Sequence, residues 1–388
     1  MAPVVGPRPP FWPSVLTCGF VELFSWAALY YAVPVLMDLA ARDTGWSLAA
    51  MTAAYSGSLV LSALLSPRIG RLIDRRGPRL LVVLGALAGA TGLAGVAAAP
   101  HPVVALLAMA LVGLGQATTL YPPVFAALTI WHGRRAATAL TVVSLFGGAS
   151  SAVLAPVLAP VAEVLGWREA LLGVAVGYAV LTAPLAWWGL AVPWTAHAPA
   201  PPGHDVRRIV RSRRFRATQL SMVIAGSSLY AVTLNLVPLA RELGHSYATA
   251  ALAFGLVGAG QVVGRLAYLP LAGISDARQR TTALVVAAAL VVAALALAPG
   301  VVGLVVAALL AGAVRGAHTL TTTLGVADRW GRTAFGEVSG AFQRPVGLGI
   351  AVAPFAGALL ASATGGFRAA GLVAAALTLL AVLSARAS

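Results

Sequence analysis

Three arginines and one glutamate stand where charged side chains are seldom tolerated. Arg265, Arg315 and Arg344 lie inside long apolar runs in the second half of the chain, and Glu22 lies inside the first such run. A charge at the centre of a membrane helix costs about 2.5 to 3.5 kcal/mol on insertion scales, so it normally faces a partner or a wet cavity. Three guanidiniums against one deep carboxylate leave positive charge in excess, and the forked donors of arginine match a carboxylate or a phosphate. The chemistry these residues suggest is recognition of a small anion. Arg315 is nearest the centre of its run, with His318 one turn away and a Thr-rich stretch from Thr319 to Thr323. His318 could carry a proton, since a free imidazole titrates at about 6.5; a packed, neutral, hydrogen-bonded imidazole is the other reading. Arg265 and Arg344 lie toward the ends of their runs, where arginine can also snorkel to the interface. Glu337, two turns before Arg344, could be its structural partner.

Glu22 is the remaining candidate for proton exchange. Ser25, Trp26 and Tyr30 follow it at helical spacing and form one polar and aromatic stripe. An arginine nearby would instead hold it as a structural salt bridge. Further candidate ligands are Tyr30, Gln116 and Asn235, with Tyr55, Tyr121 and Tyr230 beside them, each of which can equally serve as a hydrogen bonder between packed helices. No spaced His/Asp set and no Ser or Cys nucleophile beside a base is evident, and Cys18 is the single cysteine. Neither a metal, nor a cofactor, nor an enzymatic activity is expected.

The elements that must position these residues follow from composition. Of 388 residues, 60% are hydrophobic and 10% charged, with a mean hydropathy of +0.90, whereas a soluble domain carries roughly 25% charged residues. The solvent for most of the chain is lipid. All 26 basic residues are arginine, and the net charge of +15 sits in short loops. There it orients the protein, and no nucleic-acid partner is implied.

Apolar length predicts twelve spans, near 14–38, 47–66, 80–99, 103–130, 137–162, 169–193, 217–240, 248–272, 282–299, 301–326, 335–362 and 369–385. The first is too long for a cleavable signal peptide and carries Glu22. Nineteen arginines fall in segments on one side, against Arg42, Arg168, Arg241 and Arg368 on the other. The positive-inside rule therefore places both termini in the cytoplasm of a multi-pass protein of the cell membrane. Residues 194–216 read as a cytoplasmic linker, Pro-rich and then Arg-rich, that either serves topology alone or also touches anionic lipid. They separate an N-terminal bundle, 1–193, from a C-terminal bundle, 217–388.

The halves repeat. Gly166-Trp167-Arg168 answers Gly366-Phe367-Arg368, Asp74 answers Asp276, and Trp131-His132-Gly133-Arg134 answers Trp330-Gly331-Arg332. The spacing is close to 200 residues each time, which predicts two parallel six-helix repeats. The fold class expected is an all-α integral membrane protein of twelve transmembrane helices.

The loop Gly70-Arg71-Leu72-Ile73-Asp74-Arg75-Arg76-Gly77-Pro78-Arg79, between the second and third spans, resembles the signature Gly-x-x-x-Asp-Arg-x-Gly-Arg-Arg of the major facilitator superfamily. The resemblance implies alternating access by two bundles about a site near the bilayer midplane, with spans three, six, nine and twelve facing lipid. It also implies a conformational latch built from Gly70, Asp74, Arg75, Gly77 and Arg79, in which Asp74 caps a helix amino terminus and pairs with an arginine across the bundles.

Within that superfamily, Tyr30-Tyr31-Ala32-Val33-Pro34, Thr44-Gly45-Trp46-Ser47 and Arg134-Arg135-Ala136-Ala137-Thr138-Ala139-Leu140 look like the monocarboxylate and oxalate/formate branch. That likeness implies that Arg265 binds a substrate carboxylate. Gln261 stands where the branch often has an Asp, and a lysine of span one has no counterpart, so the branch's usual proton-coupling pair is missing. The Gly-Pro and Gly-Gly signature of drug antiporters is absent from span five, which shows Leu145-Phe146-Gly147-Gly148 and later Ala155-Pro156. The expected function is secondary transport of a small organic anion by a monomer, either in symport with protons or by exchange. The alternative is proton-driven drug or metabolite efflux in which the buried arginines serve structure.

Overall fold

In lipid every backbone polar group must be satisfied within its own segment, so long apolar runs fold as helices. The computed structural model describes residues 9–192, 194, 206–330 and 335–386, and among these the regular structure is entirely helical. The chain forms two units, Met1–Pro199 and Ala200–Ser388. Twelve segments of the described residues are long and apolar enough to cross a bilayer.

In the first unit these are span one (Phe11–Thr44), two (Leu48–Ile73), three (Arg79–Ala97), four (Pro102–His132), five (Thr138–Leu165) and six (Trp167–Gly189). In the second they are span seven (Arg213–Leu234), eight (Tyr247–Tyr268), nine (Ala277–Ala296), ten (Gly300–Trp330), eleven (Val338–Thr364) and twelve (Phe367–Arg386). The all-helical, twelve-span architecture expected from apolar length is the one observed. A short helix, Val206–Arg211, precedes span seven within the stretch read as a linker.

Span ends follow local chemistry. Ser47, Ser212 and Ser246 cap spans two, seven and eight by accepting main-chain N–H groups. Asp276 and Gln279 form a reciprocal capping box at the start of span nine. The helix of span two runs on to Arg76 and stops at Gly77, whose φ of +77° suits glycine. Asp74 lies in the last turn of that helix, and its side chain, expected as a helix cap, is outside the described residues; the next helix begins after Pro78.

Small residues let certain spans touch backbone to backbone. A Cβ on Gly312 of span ten would lie 2.9 Å from the Cα of Gly260 on span eight, and one on Gly316 would lie 3.0 Å from the carbonyl carbon of Gln261. In the first unit a Cβ on Gly115 of span four would lie 2.8 Å from the Cα of Gly89 on span three. These contacts fix the rotation of spans four and ten, and so the direction of Gln116 and Arg315. Elsewhere the exposed face is leucine and valine, as at Leu80, Leu84 and Leu87 of span three and Leu172, Val176 and Val180 of span six. Such a surface suits acyl chains and not water.

Candidate functional site

The deepest charge of the second unit is Arg315, only 1% exposed on span ten. Its Nη1 donates to Thr233 Oγ1 at 3.0 Å, and its guanidinium carbon stands 4.0 Å above the ring of Tyr230, both on span seven. A hydroxyl and an aromatic face help to orient the group. His318, also 1% exposed, places Nε2 3.0 Å from the carbonyl oxygen of Met222. A carbonyl can only accept, so Nε2 carries the proton in that bond. Gly226 makes room for the imidazole: a Cβ there would lie 2.9 Å from two ring atoms. Arg265 is buried on span eight, beside the Gly264–Ala313 contact that joins spans eight and ten.

Arg344 differs from these two, because its side chain is exposed on span eleven. The partner expected for it, Glu337, has its side chain outside the described residues. The neighbouring Gln343 ties span eleven to span ten by donating to the Thr322 carbonyl at 3.1 Å. The described acidic side chains of the second unit are used at span ends. Glu242 accepts from the N–H groups of Phe367 and Arg368, Asp276 caps span nine, and Asp328 pairs with Arg280 at 2.5 Å.

In the first unit Glu22 is fully buried. Its Oε2 accepts from Trp26 Nε1 at 2.9 Å, and its Oε1 has no hydrogen-bond partner among the described residues. Nearby, Tyr178 on span six donates to Thr119 Oγ1, and Thr119 donates to the Gly115 carbonyl. Because the Tyr178 hydrogen is spent on Thr119, Ser25 of span one donates to Tyr178, at 3.2 Å. Four groups thus form one directional chain across spans one, six and four.

Trp26 opens a π-helical segment, Trp26–Tyr31, in which the Ala32 N–H reaches back to the Ala27 carbonyl. Pro34 explains what happens next. It has no N–H to give to the carbonyl four residues back in an α-helix, or five back in a π-helix. Those carbonyls belong to Tyr30 and Leu29. Tyr55 of span two donates to the first at 2.7 Å, and Gln116 of span four donates to the second at 2.8 Å.

Span seven breaks at the corresponding place. Its helix stops at Leu234, four residues before Pro238, and resumes over Leu236–Glu242. Asn235 spends both amide hydrogens on the carbonyls of Ala231 and Pro354. It also borders a small apolar cleft shared with Leu239, Leu360 and Phe367. Interrupted helices at matching positions in two repeats are the usual seat of a transporter's binding site.

Tyr30, Gln116 and Asn235, taken from the sequence as ligand candidates, therefore lie at these breaks, where Gln116 and Asn235 satisfy main-chain carbonyls. Thr233, Tyr178 and Thr119 were not singled out by sequence reasoning. Among the latch residues, Arg79 donates to the Trp187 carbonyl at 2.7 Å and stacks on the Trp187 ring, which ties span three to span six. A Cβ on Gly77 would strike Trp194, while Gly70 has open space and Arg75 is exposed.

Residues 15–344 match the family model of the Major Facilitator Superfamily. The chain belongs to that superfamily. A major facilitator protein is a transporter and not an enzyme, and its twelve helices make this one a multi-pass membrane protein. A curated protein of Thermoproteus tenax, an uncharacterized 38 kDa protein in the 23S RNA operon, is 31% identical over 170 residues. That match spans 44% of this chain and 44% of the relative, less than half the length of either. Among solved structures, a bacterial homolog of the human lysosomal transporter Spinster, inward-facing and occupied, aligns with a TM-score of 0.74 at 14% identity. It covers 96% of this chain and 95% of that one. A variant of the nucleoside transporter NupG aligns with a TM-score of 0.78 at 14% identity, covering 96% and 99%. At such identities the likeness is one of fold alone.

Proposed function

We propose that this major facilitator protein moves a small organic anion, a carboxylate foremost, across the cytoplasmic membrane by alternating access. The observation that carries the reading is Arg315, whose guanidinium is buried in a membrane span, donates to Thr233 and stands over the ring of Tyr230. A fork held in place before its ligand arrives loses little freedom on binding, which favours a planar carboxylate. Arg265, buried in the same unit, is proposed as a second contact, in keeping with the monocarboxylate-branch likeness of Tyr30 to Pro34 and Arg134 to Leu140. Arg344, Tyr30, Gln116 and Asn235 stay in the proposed site as lining residues. Coupling to protons is assigned to Glu22, with His318 as the other candidate. Both termini are proposed to be cytoplasmic, with the loop from Gly70 to Arg79 acting as a latch and one chain sufficing for transport.

A second reading is drug or metabolite efflux with structural arginines. It is favoured by the engagement of Gln116 and Asn235 with main-chain carbonyls, which leaves those side chains fewer hydrogen atoms for a ligand. Ligand-induced thermal stabilisation of the purified chain separates the two, since a ligand of the native state raises the melting temperature with affinity. Carboxylates or phosphates should stabilise it. Stabilisation by cationic drugs alone would overturn the anion reading.

A further inference from the structure

We propose that the half-buried face formed by Trp26, Tyr121 and Phe125 in the first unit is a subsite for a flat ring, so that the transported anion is an aromatic or similarly planar acid. This rests on the anion reading above, but on different residues. The ring centroids of Trp26 and Tyr121 are 4.8 Å apart, and Tyr121 stacks on Phe125 at 4.7 Å with an interplanar angle of 28°. All three side chains are half-buried, whereas Tyr30, Tyr31 and Tyr55 are buried.

The rings are held rather than loose. Glu22 accepts from the indole N–H, and Tyr121 donates to the Ser144 carbonyl at 3.2 Å. Gly147 on span five supplies the seat, because a Cβ there would lie 2.9 Å from both Trp26 Cδ1 and Tyr121 Cζ. Any side chain at that position would push both rings aside.

Position argues against a lipid-facing role. Trp26 lies near the middle of a 34-residue span and opens its π-helical segment. Tryptophan and tyrosine exposed to lipid gather at the membrane interfaces, and the outer faces of spans three and six in this unit carry leucine and valine instead. A fixed aromatic face backed by a buried carboxyl group at mid-membrane depth suits a wet cavity and a ligand with a π face.

The test uses the purified full chain and four probes: benzoate, cyclohexanecarboxylate, benzamide and cyclohexanecarboxamide. Wild-type protein is expected to bind each flat compound about tenfold tighter than its saturated counterpart, as offset stacking rewards a π face and not ring size. In Trp26→Leu and in Tyr121→Leu that ratio should fall toward one. Equal affinity of wild type for benzoate and cyclohexanecarboxylate would overturn the subsite and leave the anion reading standing. Benzamide bound as tightly as benzoate would overturn the anion reading and leave the subsite. Failure of both flat compounds to bind would overturn the subsite. Should one variant not fold, the other variant and the wild-type ratio still decide.

Discussion

Tyr55 donates its hydroxyl hydrogen, at 2.7 Å, to the main-chain carbonyl of Tyr30, the acceptor that Pro34 deprives of its α-helical donor. A defect in span one is thereby mended by span two. The arrangement keeps the π-helical irregularity near the middle of span one while giving the displaced carbonyl a donor.

Removing the mend should be costly only while the defect persists. Tyr55→Phe is expected to lower stability by about 1 to 3 kcal/mol, the usual cost of a buried acceptor left unsatisfied. Pro34→Ala restores a main-chain donor, so the double variant Tyr55→Phe/Pro34→Ala should recover most of that loss. Melting temperatures of the two single variants and the double variant measure it. Additive losses would contradict the link between Pro34 and the Tyr55 bond.

The close approach of spans eight and ten makes a second expectation. Gly316→Leu must separate backbones that now touch, and overpacking of this kind typically costs about 1 to 3 kcal/mol. Gly57→Ala, where a Cβ meets nothing within 4 Å, should leave the melting temperature unchanged. An equal response of the two variants would show that the glycine contact does not hold the spans together.

How much of this was legible in the residues depends on range. The spans follow from apolar length, and the charged positions inside them are plain in the chain. Pro34 and Pro238 were equally visible, and the carbonyls they orphan could have been named from the missing N–H alone. What cannot be read is which distant side chain supplies the replacement donor: Tyr55 and Gln116 reach Tyr30 and Leu29 from other spans. Thr233 and Tyr178 were missed for the same reason, since a hydroxyl on an apolar helix has no local signature of its partner.

Glu22 admits a sharper test than its burial alone. Glu22→Gln keeps an oxygen for the Trp26 N–H but cannot release a proton. If Glu22 carries the coupled proton, the variant should exchange substrate across the membrane at a rate near wild type and lose accumulation against a gradient. Intact gradient-driven uptake by this variant would remove Glu22 from coupling and leave His318 as the candidate. His318 depends on the space at Gly226, so Gly226→Ala should displace the imidazole and weaken its bond to Met222, seen as a lower melting temperature.

The central claim is that Arg315 receives the substrate anion. The direct measurement is uptake of a radiolabelled carboxylate, chosen as the strongest stabiliser of the wild-type chain, into proteoliposomes holding equal amounts of folded wild type, Arg315→Ala and Arg315→Lys. Both variants are expected to fall to the background of protein-free vesicles, the second because an ammonium cannot hold the Thr233 hydroxyl and a carboxylate in one planar fork. Uptake at the wild-type rate by correctly folded Arg315→Ala would contradict the account.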